Sequence, residues 1–256
     1  MDRATAFRDQ RADVLAFCTS LGPADWRMNS RAEGWSIADV VGHMAAGCHA
    51  MFGPAVLRIM RAADIEQTNE KMVELRRERT PAQVLGEYRR WSRVFAAALP
   101  ALTHKPLARF ELPLGELGRF PARVLPSALV FDHHTHLSHD MAPALGRVVP
   151  VPDANRMSVV LEWMMAVLSN QIRSAQPAWL DRPLRLTLAG PGGGSWHIDR
   201  SGVATAFHAS PAAEINALAM EFPEWGTRRA GWRDRDVSVS GDTDYASAFL
   251  DWINIV

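Results

Sequence analysis

The amino-acid sequence predicts an α+β protein in which a large helical region is followed by a small α/β region. Up to about Ala175, apolar residues recur at the three- and four-residue intervals of helices, whereas after Pro177 they alternate with polar residues as strands require. Hydrophobic residues make up 48% of the chain and charged residues 22%, which is typical of a globular protein. The change of period predicts two domains, residues 1–176 and residues 177–256, with Gln176 and Pro177 at the boundary.

The first region contains five predicted helices. Ser36 is an N-cap for the second of them, with Asp39 three residues later as its reciprocal partner, and Thr80 caps the third just before a proline. The strongly charged stretch 64–79 is interpreted as a solvated connection or helix face, and the Pro- and Gly-rich stretch 100–121 as a long loop. The helices are predicted over residues 6–21, 36–52, 80–99, 126–146 and 155–174.

The second region is predicted to form a small layer of strands and helices. Its first strand is followed by the turn sequence Pro-Gly-Gly-Gly at 191–194, which predicts a hairpin, and Ser210 begins a predicted helix. Strands are predicted over residues 184–188, 195–199, 202–208 and 236–240, and helices over residues 210–222 and 243–253.

Charge and composition disfavour several classes of partner. Lys and Arg together number 28 and so do Asp and Glu, so the chain lacks the basic excess of a general nucleic-acid binder. No stretch approaches the roughly 20 apolar residues of a membrane helix, and the charged start of the chain does not resemble a secretory signal. The two cysteines, Cys18 and Cys48, form no CxxC and no disulfide framework. A cytoplasmic protein without membrane or nucleic-acid partners is expected, and the oligomeric state is left open.

A cluster of histidines is the main functional signal. On a helix, side chains three or four positions apart share a face, so Asp132, His136 and His139 project together, as do His133, His136 and Asp140. His136 belongs to both sets. A carboxylate and an imidazole four positions apart can hold a divalent cation if another helix supplies a third ligand. The cluster comprises His133, His134, His136 and His139.

His43 is the candidate for that third ligand. It lies among apolar residues of the second predicted helix, where a neutral imidazole bound to a metal is better tolerated than a charged one. The alternative is a hydrogen-bonded core histidine. His49 and His104 have no comparable partners and are interpreted as surface or loop residues. The nitrogen and oxygen donors favour Zn²⁺, and Ni²⁺ is an alternative.

The first region resembles a known family. Trp26 and the segment GWSIADVVGHM at 34–44 are similar to the W…GWTVxDLVAHL signature of mycothiol-dependent maleylpyruvate isomerase-like proteins. That family belongs to the broader DinB/YfiT-like superfamily, so the resemblance implies a four-helix bundle that binds a metal. The implied ligands are a histidine on the second helix and an acidic residue or histidine four positions before another histidine.

In this sequence the implied metal ligands are His43, Asp132 and His136. The HxxD pattern that usually continues the second motif differs here by one residue, because Asp140 lies four positions after His136. For that reason His133 remains an alternative to Asp132 as the second ligand.

The resemblance extends into the second region. The segment VSVSGD at 237–242, followed by a predicted helix, resembles the closing VxVxGD segment of the sterol-carrier-protein-like domain attached to these enzymes. In the isomerase a C-terminal arginine helps to bind the acidic substrate. Arg228 or Arg229 lies in the equivalent stretch, and the alternative for both is an ordinary surface residue.

Two classes of function are consistent with these features. The first is a metal- and thiol-dependent isomerase or transferase that acts on a small electrophile, and the resemblance implies mycothiol or another small thiol. Cys48 lies five residues after His43, about 140° round the helix, so the sequence predicts that the thiol comes from a cofactor. The second is a non-catalytic stress or detoxification protein that binds a metal and a small ligand.

Overall fold

The computed structural model describes residues 1–103, 107–206 and 209–255, which form two compact units. We call Asp2–Val151 the N-terminal unit and Pro152–Val256 the C-terminal unit. The N-terminal unit is mainly helical and the C-terminal unit contains a five-stranded sheet. The predicted α+β class is therefore confirmed. Among the described residues, no helix combines the length and apolar character needed to cross a bilayer.

Four long helices, α1, α2, α5 and α6, pack against one another in the N-terminal unit. A π-helical segment, His136–Met141, continues α6 towards α7. The bounds are α1 Arg3–Thr19, α2 Ile37–Ala50, α3 Ala55–Met60, α4 Ile65–Glu74, α5 Pro81–Thr103, β1 Glu111–Pro113, β2 Arg119–Pro121, α6 Leu125–Thr135 and α7 Ala142–Ala144.

The long loop predicted over 100–121 is wrong in two respects. Helix α5 continues through Pro100 to Thr103, and an antiparallel hairpin of β1 and β2 occupies the second half of the stretch. Strands of three residues are too short for a recognisable alternation, which explains why the sequence did not predict them. His104 lies outside the described residues.

Helix α2, which carries His43, is largely buried. Its N-terminus is fixed by a capping box, in which Ser36 Oγ accepts a hydrogen bond from Asp39 N and Asp39 Oδ2 accepts one from Ser36 N. Apolar residues of α1, α5 and the π-helical segment then cover it. These include the fully buried Tyr88, Leu137 and Met141. Burial on several sides fixes the rotation of α2 and therefore the direction of His43.

Ser36→Ala should destabilise the N-terminal unit by about 1 kcal/mol, because the first turn of α2 loses its side-chain acceptor. Urea unfolding should show a lower midpoint. Thr68→Ala is a matched control, since the Thr68 hydroxyl is exposed and donates only to a carbonyl of the preceding turn. An equal loss in both variants would contradict the capping role of Ser36.

The C-terminal unit packs helices against a mixed sheet. The strand order is β5-β4-β3-β6-β7, with β3 and β6 parallel and the other neighbours antiparallel. The predicted Gly-rich turn joins β3 to β4. The bounds are α8 Ala154–Ala175, β3 Leu184–Ala189, β4 Gly194–Asp199, β5 Gly202–Ala204, β6 Ala213–Leu218, α9 Phe222–Gly226, β7 Val237–Gly241 and α10 Thr243–Trp252.

The helix predicted over 210–222 is wrong, because the centre of this stretch, Ala213–Leu218, is strand β6. Ala213, Ile215 and Ala217 face the interior while the residues between them are more exposed, so the true period is two. Pairing with β3 on one side and β7 on the other outweighs the helix propensity of Ala, Glu and Leu. The strand predicted over 202–208 is shorter, since β5 ends at Ala204, and residues 207–208 lie outside the described residues.

The predicted domain boundary differs from the division into compact units by one helix. Helix α8 belongs to the C-terminal unit, whereas a boundary at 176/177 assigns it to the first domain. The boundary between Ser174 and Leu184 stays a prediction about which segments fold together. Limited proteolysis should cut within that linker or within 100–121. A stable fragment that begins near Pro152 and retains α8 would contradict the predicted boundary.

Candidate metal centre

The three residues predicted as ligands lie together in the N-terminal unit. His43 comes from the middle of α2, Asp132 from α6 and His136 from the first position of the π-helical segment. One potential ligand atom from each lies within 4.8 Å of the others. Oδ1 of Asp132 is 2.8 Å from Nε2 of His43 and 3.6 Å from Nε2 of His136. The cluster therefore has one carboxylate oxygen facing two imidazole nitrogens.

The chemistry of this donor set fits a divalent cation. Two imidazoles and one carboxylate are the three protein ligands of several catalytic zinc sites, in which the fourth position is open. The side chains of His43 and His136 are 8% and 10% exposed, whereas that of Asp132 is 23% exposed. The cluster is therefore enclosed by the helices on the histidine side and accessible from solvent beside the carboxylate.

Asp132 is ionised at neutral pH. Burial would raise the pKa of its carboxyl, but the neighbouring His43 and His136 rings, together with hydrogen bonds from His133 and His43, hold that pKa well below its usual range. A carboxylate that stays charged is available as an anionic ligand. It also favours retention of a cation between the two imidazoles.

A second carboxylate fixes the orientation of His136. Nδ1 of His136 lies 2.7 Å from Oδ2 of Asp140, which is fully buried. When the imidazole is neutral, Nδ1–H donates to Asp140 and the lone pair of Nε2 faces Asp132. Hydrogen bonds of this kind select the tautomer of a ligating histidine and increase its basicity. His43 has no such support, since its buried Nδ1 makes no hydrogen bond with a described residue.

The π-helical segment explains the altered spacing of the second motif. The segment begins at His136 and includes Asp140, which lies four positions later rather than three. A π turn takes up more residues than an α turn and is often found at functional sites. The wider turn accommodates the extra residue and still brings the two side chains into hydrogen-bond contact.

Trp35 and Glu70 are neighbours of the site that the sequence did not reveal as such. The Trp35 ring centroid is 5.0 Å from that of His43 and 6.0 Å from that of His136. Its Nε1–H donates to Glu70 Oε2 at 2.6 Å, and this hydrogen bond lowers the pKa of Glu70. Trp35 appeared only as part of the family motif, and Glu70 lies in a charged stretch with no distinctive spacing. The Trp35 ring therefore packs beside the two imidazoles, and Glu70 holds its indole nitrogen.

His133, the alternative second ligand, contacts Asp132 but is not part of the group of potential ligand atoms. It is fully buried, its ring is 5.5 Å from those of Phe7 and Tyr88, and its Nε2 lies 3.8 Å from Cys48 Sγ. Its Nδ1 lies 3.3 Å from the second carboxylate oxygen, Oδ2, of Asp132. The geometry therefore groups Asp132, and not His133, with the other two candidates.

Two other histidines, His139 and His49, have different surroundings. His139 is not part of the group formed by His43, Asp132 and His136. Its ring packs against that of His134, with the centroids 5.6 Å apart. His49 stacks on Trp91 at 3.9 Å with a side chain that is 43% exposed. His49 is thus a partly exposed residue, in agreement with its interpretation from the sequence.

Neither cysteine is suited to act as a nucleophile. Both Cys18 and Cys48 are buried. Burial raises the pKa of the Cys18 thiol to about 12 and that of Cys48 further above its usual range. Because the thiolate is the reactive form, both side chains are inert at neutral pH.

The two candidate arginines lie just after α9 in the C-terminal unit. Arg228 has a positive φ of 58°, and its guanidinium donates to the carbonyl oxygens of Asp251, Trp252 and Ile253 at the end of α10. These contacts satisfy helix-end carbonyls and give Arg228 a structural role that needs no substrate. The side chain of Arg229 is exposed. A role for either residue in substrate binding stays a prediction.

The fold and the cluster define a class of proteins in which a helical unit with a two-histidine, one-carboxylate site precedes a unit built on a sheet. Residues 7–138 match the family model of the mycothiol maleylpyruvate isomerase N-terminal domain, and the chain belongs to that family. No curated protein sequence matches the chain.

Two solved structures have the same overall fold. They are the mycothiol-dependent maleylpyruvate isomerase and a histidine-to-alanine mutant of it, each 14% identical with a TM-score of 0.53. Each match covers 93% of this chain and 91% of the other. A third structure, sterol carrier protein 2 like 2 from Aedes aegypti, is 18% identical over 39% of this chain and 99% of its own, with a TM-score of 0.30.

Proposed function

We propose that the chain is a metal-dependent enzyme that uses mycothiol, or a related small thiol, to isomerise a small electrophilic substrate or to transfer a thiol group to it. The observation that supports this proposal is the meeting of His43, Asp132 and His136 in a chain of the maleylpyruvate isomerase family. A bound Zn²⁺ or Ni²⁺ would supply the positive charge that favours a thiolate over a thiol at neutral pH.

Each residue of the cluster has a separate task in this proposal. His43 and His136 would bind the cation through Nε2 as neutral ligands. Asp132 would add a negative charge that balances part of the charge of the cation. Asp140 holds the proton on Nδ1 of His136 and so keeps Nε2 free to bind. Trp35 covers the two imidazoles and excludes water from that side. Because neither cysteine is reactive, the nucleophile in this proposal is an external thiol.

Substrate binding requires a group besides the metal cluster. A small acidic electrophile needs a cationic partner, and an arginine can hold a carboxylate through two parallel hydrogen bonds. Arg228 and Arg229 are both candidates, and the guanidinium of Arg228 also donates to three carbonyl oxygens at the end of α10. Arg229→Gln should raise KM for an acidic substrate with little change in thiol binding.

The experiment combines metal content with thiol binding and turnover. Protein purified without chelators or a nickel column should contain about one equivalent of metal by elemental analysis, as a single three-ligand site requires. Calorimetric titration of mycothiol should then give binding that His43→Ala abolishes and His49→Ala leaves intact. Maleylpyruvate is the first electrophile to assay.

Two results would argue against the enzyme. Mycothiol binding that does not depend on the metal, or no binding at millimolar thiol, would contradict the thiol-dependent reaction. Metal and thiol binding without turnover of any tested electrophile would favour the non-catalytic alternative, a stress or detoxification protein.

A further inference from the structure

A groove between α1 and α5 in the N-terminal unit is lined almost entirely by arginine. Its volume is about 400 Å³, within the range of small-ligand sites. The lining residues are Arg11, Leu15, Arg89, Arg90 and Arg93. Because the whole chain carries as many acidic as basic residues, this groove is a local concentration of positive charge.

The four guanidinium groups are not neutralised by the protein itself. In the described ranges, no carboxylate forms an ion pair with any of them. The nearby Glu87 is occupied by Arg76 and Arg79. Like charges on one helix face are mutually destabilising, so a structural role alone does not account for the arrangement. A concave surface of one sign concentrates counter-ions of the other.

Two of the arginines are held in place by hydrogen bonds. Arg11 Nε–H donates to the hydroxyl of the buried Ser92 at 2.8 Å, and its Nη2 donates to Arg89 O at 3.2 Å. Arg89 Nη2 in turn donates to Thr19 Oγ1 at 3.3 Å. These bonds use only some of the N–H groups, since each guanidinium carries five. The remaining donors are positioned before any ligand arrives, which reduces the entropic cost of binding.

We propose that this groove binds a soluble small molecule through a diphosphate or triphosphate group. A planar guanidinium fork matches the oxygens of phosphate and carboxylate alike. A single carboxylate would neutralise one charge of four, whereas a polyphosphate neutralises several at once. Leu15 supplies the apolar contact for the rest of the molecule.

The test uses inorganic pyrophosphate as the probe, in calorimetric titrations of the full chain at low ionic strength. We expect saturable binding that weakens as salt is added, since exposed charges are screened. Arg89→Gln and Arg93→Gln should each weaken binding about tenfold to a hundredfold, as expected for loss of charge-assisted hydrogen bonds. Arg58→Gln, which removes an exposed arginine of α3, is the matched control and should change nothing.

Sedimentation with phosphatidylglycerol vesicles distinguishes a soluble phosphate compound from a membrane surface. Vesicle binding without pyrophosphate binding would overturn the proposal. No binding of pyrophosphate at low ionic strength, or equal binding by the Arg89→Gln/Arg93→Gln double variant, would overturn it as well. Metal content and mycothiol binding are measured separately, so failure here is distinguishable from failure of the proposed enzyme function.

Discussion

Replacing His136 by alanine should abolish stoichiometric zinc binding. His136 contributes Nε2 to the cluster, and the buried Asp140 holds its other nitrogen, so the substitution removes one of the three candidate ligands together with its support. Loss of a residue that merely supports a ligand costs about 10- to 100-fold in metal affinity, and loss of the ligand itself should exceed that. Competition with a fluorescent zinc chelator measures the affinity.

The control for this experiment is His49→Ala, which removes a partly exposed histidine and should leave zinc affinity unchanged. Because alanine removes the hydrogen bond between His136 and the buried Asp140, His136→Gln is a second variant whose amide can donate to that carboxylate. Melting temperatures of both variants show whether the fold survives. Zinc affinity equal to that of the wild type in a folded His136 variant would remove this residue from the proposed site.

Asp140→Asn should weaken zinc binding about 10- to 100-fold without unfolding the protein. The amide has the same shape as the carboxylate but carries no charge, so it makes a weaker hydrogen bond with Nδ1 of His136 and reduces the basicity of Nε2. Chelator competition and a melting curve on the same sample separate the effect on metal binding from any effect on stability.

Asp199→Asn is a matched control, because Asp199 also lies beside a buried histidine, with its Oδ2 3.4 Å from Nε2 of His197 in the C-terminal unit. That pair should have no influence on zinc affinity. If Asp140→Asn and Asp199→Asn weaken zinc binding equally, the effect is not specific to the support of His136.

The candidate cluster could be predicted because its spacing is local. Asp132 and His136 lie four positions apart, and that spacing places them on one helix face before any tertiary structure is known. Sequence spacing alone could not place His43 beside this pair, because that contact depends on the packing of α2 against α6. The family motif supplied that link.

Features that depend on tertiary pairing were not accessible from the sequence. The helix expected over 210–222 contains strand β6 at its centre, because pairing with β3 and β7 outweighs the local helix propensity. The hydrogen bond from Trp35 to Glu70 joins residues 35 positions apart. Arg228 contacts the end of α10 across more than 20 positions of sequence, so no local pattern indicates these contacts.

The π-helical segment has a consequence for evolutionary comparison. Compared with the HxxD spacing, the segment contains one extra residue, and the helix continues through it without a break. The match to the family model ends within this segment, at residue 138. An ungapped alignment that continues past this point is therefore out of register by one position. With the offset applied, Asp140 becomes the counterpart of the motif's carboxylate. Deletion of Ser138 would give the shorter three-residue spacing, and the same two side chains would then have to meet across an ordinary α turn.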